Sequence, residues 1–161
     1  MTRIEKNLYY LNIAEAVSKR STCVRRHYGA VIVRDDIIMA TGYNGSARGE
    51  ENCSDTGKCY REEQGIPHGE RYELCNAVHA EMNAVIQAGY DKTRNSTLYL
   101  AGTDSDGNRI DAIPCKMCWR VIKNAGITKV VAMNDKNAPY DYDVLFTDLD
   151  SLGGTSNEKA N

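Results

Sequence analysis

The sequence predicts an α/β domain in which helices pack on a β-sheet. Short apolar runs typical of buried strands alternate along the chain with longer segments whose apolar residues recur at helical spacing. Such alternation favours a layered α/β fold. The length of 161 residues and a hydrophobic fraction of 42% indicate one domain with a real core. We expect residues 1–152 to form that domain and the polar residues 153–161 to be a disordered tail.

Apolar periodicity predicts the first elements. A helix over residues 7–20 follows from one apolar stripe, formed by Tyr10, Ile13, Ala14 and Val17. Two apolar runs, residues 30–33 and 37–40, are joined by three polar residues and predict a β-hairpin with largely buried strands. The Asn44-Gly45 pair that follows is typical of a tight turn. Because it leaves a buried strand just before a cysteine-rich loop, we also expect Asn44 to meet a ligand.

The second half of the chain alternates helices with strands. Two helices are predicted, each ended by a glycine: residues 78–88 before Gly89 and residues 115–125 before Gly126. Two strands are predicted at residues 96–101 and 127–133. The polar residues 102–113 lack the full pattern of a calcium loop and are interpreted as a flap or turn. The segment with Tyr140, Tyr142 and Phe146 receives no assignment.

Charge and cysteine content limit the partners and the compartment. A net charge of −2 and a pI of about 5.9 argue against a nucleic-acid partner, which usually requires a basic excess. The sequence has no run of 18 apolar residues, and its first residues are charged, so we expect no membrane span, no signal peptide and a cytoplasmic protein. In that compartment, six cysteines indicate metal ligands rather than disulfides.

The most specific pattern is His79-Ala80-Glu81 followed by Pro114-Cys115-Lys116-Met117-Cys118. Cys115 and Cys118 lie one helical turn apart and share a face. His79 and Glu81 point to different sides of a regular helix, so they serve one site only where His79 precedes the helix. Pro114 suits the position before a helix start, where a helix N-terminus favours thiolates. One His with two Cys leaves a tetrahedral position open, as catalytic zinc requires, and Glu81 is the expected general acid/base.

A second zinc site is predicted in residues 47–76. This long polar stretch contains three cysteines: Cys53, Cys59 and Cys75. A loop of this length needs a reason to be ordered, and a zinc ion with four protein ligands supplies one. Cys23 is the expected fourth ligand, with His68 and His27 as possible replacements. The alternative is that these cysteines are free and partly buried.

These motifs resemble those of the deoxycytidylate (dCMP) deaminases in the cytidine deaminase superfamily, whose signature is H-x-E followed by P-C-x-x-C. The matching stretches cover roughly residues 7–133 and occur in family order: 21–23, 29–33, 42–45, 79–84, 114–118 and 125–127. The resemblance implies a three-layer αβα sandwich with a mixed five-stranded sheet, zinc-dependent hydrolysis of dCMP to dUMP and ammonia, and a homohexamer. It also implies activation by dCTP and inhibition by dTTP, with Mg²⁺ accompanying the triphosphate. The sequence departs from the family pattern in the longer segment 102–113 and in having Asn134 to Asn137 where a tyrosine is usual.

The resemblance also implies roles for further residues. The substrate-binding candidates are Asn44, Arg25, Ala80 and Arg48, and the effector-binding candidates are Tyr43, Asn44 and Gly45. Arg25 is preferred for the substrate phosphate because it follows Cys23 and because a guanidinium can bind phosphate bidentately; Arg26 and Arg48 are alternatives. Glu81 is expected to take the proton of the activated water, deliver it to cytosine N3 and then protonate the leaving amine.

The sequence leaves three alternative functions open. The first is a zinc deaminase that acts on a free nucleoside, on guanine or on a tRNA base. A nucleoside deaminase would need no phosphate-binding arginine. A tRNA deaminase would require a basic face, which the composition does not suggest. The second is a non-catalytic nucleotide-binding regulator, against which Glu81 argues. The third is a purely structural zinc module, which the open coordination position disfavours.

Overall fold

The structure is a computed structural model that describes residues 1–136, 138–145 and 147. In these residues the chain forms six α-helices: α1 (Lys6–Ser18), α2 (Cys53–Thr56), α3 (Tyr60–Glu63), α4 (Ala80–Ala88), α5 (Tyr90–Thr93) and α6 (Lys116–Asn124). The described strands are β1 (Arg26–Arg34), β2 (Ile37–Tyr43), β3 (Gly45–Ser46), β4 (Ala77–Val78), β5 (Thr97–Asp104), β6 (Lys129–Ala132) and β7 (Tyr140–Asp143). A 3₁₀ turn covers Tyr72–Leu74.

Five strands form one mixed sheet in the order β2-β1-β5-β6-β7. β5 and β6 are parallel because α6 connects them, and the other neighbouring pairs are antiparallel. β3 and β4 form a separate antiparallel pair. The structure therefore confirms the α/β class and the mixed five-stranded sheet.

Alternating side chains along the central strands build the core on both faces of the sheet. Val31 and Val33 of β1 pack in one cluster with Leu11 of α1. Ala30 and Ile32 belong to a cluster on the other face, which includes the buried residues of α4 and α6. The domain therefore has three layers, with α1 on one face and the two later helices on the other.

The helix-one stripe and the hairpin differ in detail from the prediction. Ile13 and Val17 lie at the margin of the core, and Leu11 takes a fully buried position instead. The two-residue turn of the hairpin has both residues at positive φ, as a tight turn between twisted strands requires. The prediction that both strands are largely buried was wrong for β2, because β2 is an edge strand whose Ile37 and Ile38 are 60% and 41% exposed.

Two glycines allow the sheet to touch its covering helices. A Cβ on Gly42 would lie 2.4 Å from the backbone nitrogen of Ala84 in α4. A Cβ on Gly29 would lie 2.0 Å from the carbonyl oxygen of Ala14 in α1. The close approach at Gly42 fixes the helix that carries Glu81 directly against β2.

The segment 102–113, interpreted from the sequence as a flap or turn, contains a tight turn. β5 continues to Asp104, and Ile110 donates a backbone hydrogen bond to Gly102, so the chain returns along the strand. The Asp104 carboxylate accepts backbone hydrogen bonds from Asp106 and Asn108 and closes the turn. The structure also assigns β7 to the segment with Tyr140 and Tyr142.

The predicted tail (residues 153–161) and Phe146 lie outside the described residues. The extent of the domain to residue 152 stays a prediction. Every helix in the described part of the chain is too short or too polar to cross a lipid bilayer.

Candidate active site

Two helix N-termini meet at the site. His79 is the N-cap residue of α4, with extended backbone angles φ −69° and ψ 152°. Cys115 is the N-cap residue of α6, also extended, and its sulfur accepts the backbone N–H of Cys118 at 3.4 Å. The structure thus confirms that His79 precedes the regular helix, which lets His79 and Glu81 face one site. The exposed N–H groups of both helices favour negative charge at this place.

Three ligand atoms come together as a zinc ion requires. His79 Nδ1 lies 3.6 Å from the Cys115 sulfur and 3.2 Å from the Cys118 sulfur, and all three atoms lie within 4.8 Å of one another. With typical Zn–N and Zn–S bond lengths, a tetrahedral ion separates nitrogen from sulfur by about 3.6 Å. The donor set therefore fits zinc in chemistry and in spacing. Among the residues the structure describes, no other group of three metal-ligating side chains meets this spacing.

The thiols of Cys115 and Cys118 affect the pKa of each other. A hydrogen bond from Cys118 lowers the pKa of Cys115 to about 4, and a further bond with His79 acts in the same direction. The same hydrogen bond and burial raise the pKa of Cys118. Burial opposes the charged form of His79, but its hydrogen bond with Cys115 and the charge of Glu81 outweigh burial and raise its pKa. One thiolate is thus strongly favoured next to the imidazole.

Glu81 lies in the first turn of α4 and is only 5% exposed. Burial raises the pKa of its carboxyl, and the neighbouring His79 partly opposes this shift. A hydrogen bond between Glu81 and Cys118 places the carboxyl beside the three candidate metal ligands. A carboxyl held there, with its pKa raised by burial, is suited to accept and return a proton.

Aromatic and cationic side chains that the sequence analysis did not single out pack against the site. The Tyr72 ring is perpendicular to the His79 ring at a centroid distance of 4.9 Å, and the Arg61 guanidinium lies over Tyr72 at 4.9 Å. Tyr28 of β1 is partly buried; burial raises the pKa of its phenol, Arg26 opposes this shift, and Glu81 lies close enough for its charge to raise the pKa further. Arg61 and Tyr72 belong to no recognisable motif, because only the folded loop brings them to His79.

The prediction of a tight turn at Asn44-Gly45 was wrong, because the pair carries the chain from β2 into β3 and neither residue has a positive φ. The Asn44 side chain is bound to the end of β1. Its Oδ1 accepts the backbone N–H of Tyr28 at 2.8 Å, and its Nδ2 donates to the carbonyl of Arg26 at 2.9 Å. The amide retains one lone pair and one N–H for a ligand, so its binding role stays a prediction. Three other residues are predicted to bind substrate or effector. Tyr43 is exposed and Gly45 is buried. Ala80, the first residue of α4, is fully buried.

The candidate phosphate-binding arginines have different surroundings. Arg25 Nε forms an ion pair with Glu62 at 2.9 Å, and its side chain is 27% exposed. Burial lowers the pKa of His68 to about 4, with further contributions from the charges of Arg26, Arg25 and Arg61, so three guanidinium groups converge near this imidazole. Arg48 is exposed.

The four cysteines predicted to hold a second zinc lie near one another, but no three of their sulfurs lie within 4.8 Å of one another. Cys53 has a raised pKa, mainly from burial and then from the charges of Cys23, Cys59 and Cys75. A backbone hydrogen bond from Ser54 to Thr22 joins the α2 segment to the segment before β1. Of the two histidine alternatives, His27 bonds through Nε2 to the carbonyl of Cys23. A second zinc site stays a prediction.

Comparison with known proteins relates this chain to cytidine and deoxycytidylate deaminases. The profile of the family "Cytidine and deoxycytidylate deaminase zinc-binding region" matches residues 4–134. The chain is 35% identical over 123 residues to the deoxycytidylate deaminase of Schizosaccharomyces pombe, which covers 76% of this chain and 35% of the yeast protein. It is 35% identical over 136 residues to the deoxycytidylate deaminase of Mycobacterium phage D29, covering 81% of this chain and 96% of the phage protein.

The chain spans about a third of the length of the Schizosaccharomyces pombe protein and of the deoxycytidylate deaminase of Saccharomyces cerevisiae, to which it is 37% identical over 124 residues. Among solved structures, the dCMP deaminase from cyanophage S-TIM5 in complex with dCMP and dUMP is similar, with a TM-score of 0.56 and 27% identity. That similarity covers 81% of this chain and 82% of the phage chain.

Proposed function

We propose that this chain, which belongs to the cytidine and deoxycytidylate deaminase zinc-binding family, hydrolyses dCMP to dUMP and ammonia with a bound zinc ion. The observation that carries the proposal is the meeting of His79 Nδ1 with the sulfurs of Cys115 and Cys118 beside the buried carboxyl of Glu81. The substrate follows from the relatives of this name and from the similar phage structure that holds dCMP and dUMP.

His79, Cys115 and Cys118 would hold the zinc ion. When bound, zinc supplies Lewis acidity that makes water nucleophilic near neutral pH. Glu81 takes a proton from that water and delivers it to N3 of the cytosine, while the water oxygen forms a bond to C4. The carboxylate of Glu81 then takes the remaining proton from the oxygen on C4 and passes it to the amine, so that the C4=O bond of dUMP forms as the C4–N4 bond breaks and ammonia departs. The carboxyl returns to its starting state, so one residue can serve both proton transfers.

A substrate panel tests this function. Ammonia release should be measured with cytidine, deoxycytidine, dCMP, dCTP and guanine under the same conditions. We expect dCMP to give the highest kcat/KM. Highest activity on a free nucleoside or on guanine would refute the dCMP assignment and keep the zinc deaminase, whereas no ammonia from any substrate would favour a non-catalytic regulator.

We propose that the cysteine-rich loop binds a second, structural zinc ion. Its ligands would be Cys53, Cys59 and Cys75 of the loop, together with Cys23. The mutual electrostatic effect of the four thiols and the backbone bond that joins their segments support this. The loop between β3 and β4 contains only short helical turns, so its own hydrogen bonds give it little rigidity. A closed tetrahedral site would order it.

The zinc content of the purified protein is expected to be two ions per chain. Elemental analysis should give two for the wild type and one for the Cys53→Ser, Cys59→Ser double variant, because that variant loses only the closed site. The Cys118→Ser variant is the matched control and should also retain one ion, from the other site. A wild-type content of one ion that the double variant leaves unchanged would eliminate the structural zinc.

The oligomer and the compartment are also proposals. A homohexamer agrees with the edge strand β2 and with the exposed apolar residues of β2 and of the α4–α5 segment: Ile37, Ile38, Ile86 and Tyr90. Light scattering that gives the mass of a single chain would contradict it. All six cysteines are free thiols, which agrees with a reducing cytoplasm.

Regulation by nucleotide triphosphates with Mg²⁺ is proposed at the link between β2 and β3, formed by Tyr43, Asn44 and Gly45. Asn83 of α4 donates to the Tyr43 carbonyl at 2.8 Å, so this link is attached to the helix that carries Glu81. We expect dCTP to raise and dTTP to lower the rate with dCMP. Rates that neither nucleotide changes would remove this role.

A further inference from the structure

The imidazole of His79 lacks the usual hydrogen bond that orients a zinc ligand. Its Nδ1 faces the two sulfurs, whereas its other ring nitrogen makes no hydrogen bond to any residue that the structure describes. Histidines that bind metals usually donate this second N–H to a carboxylate, a carbonyl or water, which fixes the ring. Among the described residues, a contact that holds the orientation of this ring must therefore be of another kind.

Tyr72 supplies such a contact. Its ring stands at 89° to the His79 ring with centroids 4.9 Å apart, the preferred edge arrangement of two aromatic rings. Rotation of the imidazole about its Cβ–Cγ bond would move Nδ1 away from the sulfurs and would drive the ring against Tyr72. The phenol stays neutral, because burial and the nearby charge of Cys115 raise its pKa to about 12.

Arg61 packs on the Tyr72 ring. Its guanidinium lies over the Tyr72 ring at 4.9 Å and donates to the carbonyls of Pro67 and Glu70. The side chain is only 5% exposed, its Nε is buried without a partner, and no ion pair to a described carboxylate is seen. A buried guanidinium is costly unless its surroundings compensate, and the ring with the two carbonyls provides that compensation.

We propose that Tyr72 and Arg61 are positioning residues that hold the His79 imidazole in its zinc-binding orientation, which makes the cysteine-rich loop part of the catalytic centre. This inference rests on the proposed zinc site at His79. Both residues lie between Cys59 and Cys75, so ordering of that segment is transmitted through the stacked guanidinium and phenol to the imidazole. Neither residue needs to touch the substrate to act in this way.

Two pairs of variants test the proposal in the zinc-loaded full chain. Tyr72→Leu removes the ring, whereas Tyr72→Phe retains it. Arg61→Met removes the charge and the donors, whereas Arg61→Lys retains a cation that can still donate to the carbonyls. The matched control is Arg71→Met, which makes the same change at an exposed arginine of the same loop.

Zinc retention against increasing chelator is the first readout, with Cys118→Ser defining the zinc that remains without the catalytic site. We expect Tyr72→Leu and Arg61→Met to weaken catalytic zinc binding by about tenfold to a hundredfold, the usual effect of losing a group that orients a ligand. At saturating zinc, kcat should fall while KM stays unchanged. Tyr72→Phe, Arg61→Lys and Arg71→Met should resemble the wild type.

Several results would overturn the proposal. Unchanged zinc affinity in Tyr72→Leu or Arg61→Met would remove the positioning role, and either variant decides the question if the other does not fold. A raised KM with normal zinc affinity would place Tyr72 on the substrate instead. An equal loss in Arg71→Met would indicate general damage to the loop. A wild type that releases no ammonia would refute the deaminase function, while the zinc affinities would still decide the role of Tyr72 and Arg61.

Discussion

The Glu81→Gln variant is expected to keep its zinc and its fold but to lose nearly all turnover. Glutamine has the shape of glutamate and fits the same buried position in the first turn of α4. Its amide cannot accept a proton from water or return one to the base and the amine. General acid–base catalysis contributes typically 10²–10⁴-fold, and here one residue serves two transfers, so kcat should fall by at least about a hundredfold.

The measurement is kcat for ammonia release, accompanied by zinc content and a thermal melt of each protein. Glu73→Gln provides a matched control, because Glu73 is exposed and pairs with Arg71 on the loop surface. Retention of more than about a tenth of the wild-type kcat would exclude Glu81 as the proton carrier. Loss of zinc in Glu81→Gln would instead assign Glu81 a structural part at the metal site.

The geometry around the metal ligands was predictable because it depends on local sequence spacing. Two residues that stand two positions apart cannot face one site within a regular helix, so His79 had to precede α4, and the structure places it there. The i, i+3 spacing put Cys115 and Cys118 on one helix face, and Pro114 indicated the helix start that the structure has at Cys115. Gly89 and Gly126, both at positive φ, ended the two helices where the sequence indicated.

Features that depend on long-range packing were not predictable. Arg61 belongs to a four-residue helix in a polar loop, and nothing in its neighbours distinguishes it from a solvated arginine. It is buried only because the loop folds back to bring the Pro67 and Glu70 carbonyls to its guanidinium. The exposure of Ile37 and Ile38 also depends on strand order, because the same apolar run would be buried in a central strand.

A strong preference for dCMP over deoxycytidine is the second large effect that we expect. A phosphate bound by a partly buried guanidinium adds a charge-assisted pair whose loss costs on the order of 2–5 kcal/mol. Since each 1.4 kcal/mol corresponds to a factor of ten, kcat/KM for dCMP should exceed that for deoxycytidine by well over tenfold. Comparable values for the two substrates would contradict a phosphate-binding role for any arginine here.

Arg25→Ala should reduce this preference and leave the rate with deoxycytidine unchanged. In the structure Arg25 pairs with Glu62, which is more exposed than Arg25. The phosphate would therefore have to displace the Glu62 carboxylate or share the Arg25 guanidinium with it. Glu62→Gln should therefore not weaken dCMP binding, and it is the control for the loss of that ion pair. Asn44→Ala should weaken both substrates alike if its remaining amide donor binds the sugar.

The other two arginines decide the assignment if Arg25 fails. An equal fall in kcat/KM for dCMP and deoxycytidine in Arg25→Ala would exclude Arg25 as the phosphate ligand. Arg26 would then be preferred over Arg48, because its charge acts on both His68 and the Tyr72 phenol beside the metal ligands. Arg26→Ala should in that case reduce the preference for dCMP by at least about tenfold, whereas Arg48→Ala should leave it unchanged.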